Sequence, residues 1–226
     1  MTGRLAGAFL FLWALTGGLA YGYSQGMLVG GDAAATAANI LASETRFRLA
    51  IAGNLLSQAC FIASTVVLYD VFTPVSRAAA RTVVFFNLTA CAIGVFNSLF
   101  QLGALEVLQR PPYLSAYSTP QLQALAALLL KLNIQALDMG QIFFGFQWIA
   151  VGYLILRSVF IPRILGALVA FSGAWYLTRL YPPLVEALMP YSISMPAVGL
   201  LAFTLWLLVR GVNAQRWQEQ FAARFE

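Results

Sequence analysis

Along the chain, apolar residues come in runs of roughly twenty, separated by short stretches where arginine, proline and glycine collect. A helix of that length crosses the ~30 Å hydrocarbon core of a bilayer. The first run is about Leu5 to Tyr23. Arg4 precedes it and no clear small-residue cleavage site follows, so it reads as a retained span rather than a removed leader. Gly30-Gly31-Asp32 comes next, with Asp32 positioned to cap a short alanine-rich helix, Ala33 to Ala42, at the membrane surface. Ser43 and Thr45 lead into a second span, about Phe47 to Phe72, which Thr73-Pro74 ends. The third is about Thr82 to Ala104, followed by a polar loop with Pro111-Pro112.

Thr119-Pro120 reads as an N-cap plus first-turn proline. From Pro120 to Arg157 only glycine interrupts the helical pattern, a length of roughly 57 Å at 1.5 Å per residue. No linker there could turn the chain, so the pattern predicts one long fourth helix. About Leu137 to Leu156 of it would cross the membrane, and the part through Lys131 would reach into or beyond the outer interface. Ile161-Pro162-Arg163 opens a fifth span, 162–180, and Pro182-Pro183 begins an outer loop. The sixth span runs from about Ser192 to Val209. The tail from Arg216 to Glu226, with Trp217 and Phe221, is a short amphipathic end suited to the membrane surface. The expected fold is all-α: one membrane domain over 1–226, a bundle of six transmembrane helices.

Basic residues in short loops set the orientation. With the N-terminus inside, Arg4, Arg77, Arg81, Arg157, Arg163, Arg210, Arg216 and Arg224 are cytoplasmic, against Arg46, Arg48, Arg110, Lys131 and Arg179 outside. Eight against five places both ends in the cytoplasm, and the expected location is a bacterial cytoplasmic (inner) membrane.

Composition agrees with the pattern. Hydrophobic residues make up 61% and charged ones 9%, with mean hydropathy +0.79. A soluble domain carries about 25% charged residues to wet its surface, so lipid must solvate most of this chain. The net charge of +5 does not imply nucleic acid, because the arginines are scattered between apolar runs. Histidine is absent, which removes the commonest general base and metal ligand together. Cys60 and Cys91 lie in apolar stretches and form no paired zinc motif. No cofactor and no metal are expected.

Several segments resemble the bacterial membrane family known as domain of unknown function 4386. They are Gly3-Arg4-Leu5-Ala6-Gly7, the run from Gly30 to Ala52, Val67 to Arg77, Gln141 to Gln147, and Gly152 to Gly166. The likeness covers nearly the whole chain and implies a six-span fold; it brings no activity, since the family is uncharacterised. It also implies departures: the family pattern often carries histidine where this chain has Asn133 and Gln147. That lowers an enzymatic reading.

Polar groups inside the spans carry the rest. Amides and charges avoid hydrocarbon and should face the bundle interior. Asn54 and Gln58 lie one turn apart in span 2, and Asn97 and Gln101 one turn apart in span 3, both toward the outside. Asp138 and Gln141 stand at the outer end of span 4 and Arg179 near that of span 5, while Asn87, Gln147 and Asp70 lie in the inner half. One reading makes the outer belt a set of helix-locking hydrogen bonds, with Asp138 paired to Arg179. The other makes it a chamber open outward, walled by aromatics such as Trp148 and Trp175, for a small amphipathic or lipid-like ligand.

Gly18, Gly22, Gly26 and Gly30, spaced by four, read as a helix-packing face. Three functions stay open: binding or moving such a ligand; an accessory or assembly subunit with a membrane partner or a second copy; and a membrane enzyme built on Asp138.

Overall fold

A computed structural model describes residues 2–188 and 194–225, and all regular structure among them is helical. The helices are α1 (Thr2–Gln25), α2 (Ala33–Ala42), α3 (Glu44–Phe72), α4 (Arg77–Leu108), α5 (Thr119–Arg157), α6 (Arg163–Leu177), α7 (Pro182–Leu188), α8 (Ser194–Val209) and α9 (Ala214–Phe225). Single 3-10 turns cover Pro112–Leu114 and Thr178–Leu180.

Among the described residues four helices, α1, α3, α4 and α5, are long and apolar enough to cross a membrane, with 24, 29, 32 and 39 residues. α8 and α9 make a fifth if the pair, bent by 101°, is taken as one broken span. The described residues thus give four or five candidate spans, where six were expected. α6 has only 15 residues, about 22 Å of helix against a ~30 Å core. The expected start of the sixth span at Ser192 lies outside the described residues, and α8 begins at Ser194. Large apolar side chains stand open on these helices, among them Phe85 at 70% and Ile164 at 66% exposed. Water would not tolerate so many together; acyl chains do. This is a membrane-type helical protein.

Local signals acted as the sequence implied. Asp32 caps α2, its carboxylate accepting from Ala35 N at 2.8 Å. α5 is one unbroken helix of 39 residues. Its cap sits one residue earlier than expected: Ser118 N–H donates to Gln121 Oε1 at 2.8 Å, half of a capping box. The segment after Pro182 is the short helix α7 and not an open loop.

The chain divides into two compact units. Unit one holds 1–12, 60–91 and 139–226; unit two holds 13–59 and 92–138. In unit two, α2 buries Thr36, Ala37 and Ile40 against a core that includes Phe47, Ile51, Leu105, Leu108, Leu122 and Leu130. Asn39 Nδ2 ties α2 to Met27 O at 3.3 Å, and Thr36 Oγ1 accepts from Val29 N at 2.9 Å.

In unit one, glycines set the helix spacing. A Cβ at Gly145 would stand 2.8 Å from Gly173 O, and one at Gly152 2.7 Å from Gly166 O. The pairs 145/173 and 152/166 run in opposite directions at intervals of seven, an antiparallel seam of α5 on α6. Gly199 on α8 meets Leu168 and Ser172 of α6 just as closely, and Gly7 on α1 meets Leu207 and Leu208 of α8.

The expected packing face behaves otherwise. Gly26 and Gly30 lie past the end of α1, and a Cβ at Gly18, Gly22 or Gly30 would meet no described residue within 4 Å beyond its chain neighbours and its own helix backbone. Spacing by four marks a face that could accept a neighbour; it does not say that the neighbour belongs to the same chain.

Candidate functional site

In unit two the expected amides of α3 bond to each other and to α4. Asn54 Nδ2 donates to Ser98 Oγ at 3.1 Å and to Gly94 O at 3.5 Å, and Gln58 Nε2 donates to Asn54 Oδ1 at 3.5 Å. Gly94 makes room: a Cβ there would sit 2.8 Å from Gln58 Nε2. Asn97 is buried and pairs with a residue not expected at the site, Asn133 of α5. Asn133 Nδ2 donates to Asn97 Oδ1 at 2.8 Å and to Asn97 O at 3.2 Å. Gln101 is buried in the same unit and Asp138 half-buried. These bonds tie α3 to α4 and α4 to α5.

Gln141, Trp175 and Arg179 belong to unit one. Arg179 lies with its guanidinium carbon 5.7 Å from the Tyr176 ring centroid, a cation–π geometry. Trp175 packs against Phe171, ring centroids 6.0 Å apart.

Unit one has its own buried amide pair, again between α4 and α5. Asn87 Nδ2 donates to Gln147 Oε1 at 3.3 Å, both side chains are fully buried, and the Cys91 thiol lies 3.8 Å from Asn87 Oδ1. Gln147 Nε2 has no hydrogen-bond partner among the described residues. Phe61, Phe144, Trp148 and Phe203 of the same unit form an aromatic cluster: Phe61 stacks on Phe144 at 4.7 Å, and Trp148 meets Phe61 at 5.8 Å and Phe203 at 6.5 Å. Both cysteines are free thiols. Among the described residues no cluster of metal-ligating side chains occurs.

A separate feature of unit one was not foreseen as a site. The ends of α1, α3, α8 and α9 line a half-open cavity of about 680 Å³. Arg4, Arg210 and Asp70 supply its charge, and Tyr69, Trp217 and Phe221 its aromatic surface. Trp217 and Phe221, one turn apart on α9, stack at 5.3 Å. Trp217 Nε1 donates to Val71 O at 2.9 Å, which fastens α9 to the last turn of α3. Arg4 Nη2 donates to Val209 O at 3.1 Å, satisfying a terminal carbonyl of α8 where cations are favoured. The signals existed in the sequence, but Arg4, Asp70 and Arg210 are some 66 and 140 positions apart, and nothing local joins them.

Comparison with known proteins adds a family. Residues 5–211 match the family model described as Domain of unknown function (DUF4386). The chain belongs to this family. The DUF4386 match begins within α1, takes in α2 to α8 and ends at Gly211, where the chain turns toward α9. This DUF4386 chain is also similar to an uncharacterized protein of Archaeoglobus fulgidus, 28% identical over 81 residues. That alignment takes in 33% of this chain and 46% of the relative, so the chain spans under half the relative's length. No solved structure matches.

Proposed function

We propose that this chain is a six-span protein of a bacterial cytoplasmic membrane, both ends cytoplasmic, that binds a small amphipathic, lipid-like molecule. One observation carries the reading: the 680 Å³ cavity joins charged side chains to a stacked aromatic pair. Ligand pockets run to ~300–1,000 Å³ and combine an apolar wall with a few placed polar groups. An amphipathic molecule has the same division.

Charge supports the orientation. Unit one carries nine basic and four acidic residues, and unit two four of each, so the whole net charge of +5 belongs to unit one. All eight arginines assigned to the cytoplasm fall in unit one, and four of the five basic residues assigned outside fall in unit two. In this reading α6 with its 3-10 extension to Leu180 is the fifth span and α8 the sixth. The amides Asn54, Gln58 and Asn97 then serve to lock helices; the bonds of Gln58 to Asn54, of Asn54 to Ser98 and of Asn133 to Asn97 favour that role over lining an outer chamber.

The test is to purify the protein in mild detergent and weigh it intact. A lipid-like adduct that survives washing and returns on re-addition of total membrane lipid is the expected result. Protein that carries no adduct and takes none up would end the proposal.

A second reading, an assembly subunit, rests on Gly18 and Gly22, which are open beside exposed Leu15 and Leu19. Cross-linking from a cysteine placed at Gly22 tests it. Capture of a discrete partner or a second copy supports an assembly role, and no product beyond random lipid-phase collision removes it.

A further inference from the structure

We infer that the unit-one cavity holds the phosphate of an anionic phospholipid, between Arg4 and Arg210. This deepens the lipid-binding reading above and rests on it. Among the described residues, the charges lining the cavity are two guanidinium groups and one carboxylate, Asp70, a net of one positive charge. A phosphodiester supplies one negative charge in return. Arginine is suited to it because its planar fork of five N–H donors matches two phosphate oxygens at once.

Both arginines keep donors in hand. Arg4 gives one N–H to Val209 O and retains the rest of its fork. Arg210 is exposed, and its guanidinium has no hydrogen-bond or ion-pair partner among the described residues. Gly211, in the left-handed region at φ 68°, turns the chain immediately after Arg210 and itself lines the cavity. A Cβ at this position would sit 3.2 Å from Arg4 Cγ, so only glycine both makes the turn and leaves the arginine stem unobstructed.

The rest of the cavity points to a lipid rather than a free anion. α9 leaves α8 at 101°, so where α8 crosses the bilayer α9 lies close to its plane. It is fastened there at several points: Trp217 to Val71 O, and Gln220 to Val159 N and Arg157 O. The Trp217–Phe221 pair thereby stands at the level where aromatic rings meet head groups, and gives the cavity a wall that a bare phosphate would not use. With all of the net +5 in unit one, the surrounding field also favours anionic lipid.

The experiment uses the full chain, delipidated in detergent, titrated with phosphatidylglycerol or phosphatidylcholine and read by intact-complex mass spectrometry. Phosphatidylglycerol should bind at least about tenfold tighter, the size of one charge-assisted hydrogen bond. Arg210→Gln should lose roughly that factor, Arg210→Lys should recover part of it, and Arg81→Gln, away from the cavity, should lose none. Equal binding of both lipids, with Arg210→Gln unaffected, overturns the head-group assignment while leaving lipid binding intact. Equal losses in Arg210→Gln and Arg81→Gln also overturn it, because diffuse charge would then suffice. Binding of neither lipid fails the broader reading as well. Added inorganic phosphate should not displace the lipid; displacement at millimolar phosphate would make the site one for a soluble anion and overturn the lipid assignment.

Discussion

Asn133 on α5 donates two hydrogen bonds to Asn97 on α4, one to the side-chain oxygen at 2.8 Å and one to the backbone carbonyl at 3.2 Å, and both residues are buried. A second α4–α5 amide pair, Asn87 with Gln147, repeats the arrangement in unit one. In lipid such a bond is worth about 0.6 kcal/mol on average, because an unfolded helix finds other partners. Stranding one member costs more than the bond itself contributes.

Asn133→Leu should therefore destabilise the protein by about 1–2 kcal/mol, since the Asn97 amide is left buried without its donor. The double variant Asn97→Leu/Asn133→Leu should recover much of that loss. Reversible unfolding in bicelles, analysed as a double-mutant cycle, measures the coupling. Strict additivity of the two losses would mean that the pair does not act as a unit.

Gly152→Leu should cost at least about 1–3 kcal/mol, because the added side chain meets Gly166 O and Ala170 at the α5–α6 seam. Gly18→Leu should be nearly neutral for the isolated chain, having open space at its Cβ. Thermal melts of the two variants in the same detergent decide the matter. An equal fall in Tm for both would contradict the packing described.

Asp32→Ala should weaken the first turn of α2 by about 1 kcal/mol through loss of the cap to Ala35 N. The effect is local. Hydrogen exchange should quicken at Ala35 and Thr36 and stay unchanged in α5; uniform acceleration would point to a global loss.

Tyr113 offers a pH test outside the spans. Its hydroxyl donates to Glu106 Oε1 at 2.6 Å, and that bond, with the neighbouring carboxylate charge, pushes the phenol above its ordinary value. A raised folded value means the contact stabilises fully below the unfolded tyrosine value of about 10 and is lost as pH rises through the higher folded value. The difference absorbance of wild type minus Tyr113→Phe should titrate later than free tyrosine. Titration at or below the free value would remove the contact.

How much was legible depends on the range of the signal. Asp32 as a cap, the alanine-rich α2 and the unbroken α5 follow from neighbours within one turn, where capping chemistry and the absence of breakers act directly. The amides Asn54 and Gln58 were legible as inward-facing, yet their partners Gly94 and Ser98 were not, because a polar residue in a span announces only that it needs a partner. The α5–α6 seam is not legible in the sequence for a different reason. Its glycines repeat at seven on two helices, and either repeat alone resembles ordinary glycine use in a span.

Sequence alone determined that the chain is helical and solvated by lipid, since 61% hydrophobic and 9% charged residues in long runs leave no other way to satisfy the backbone. It also determined the long fourth helix and the capped surface helix. The tertiary structure decided which polar groups meet, which glycines are pressed by a neighbour and which stand open, and that the chain's two ends come together around a cavity. Those outcomes depend on contacts between residues up to about 200 positions apart, such as Arg4 with Val209. Hydropathy fixes where a side chain wants to be, but only packing selects its companion.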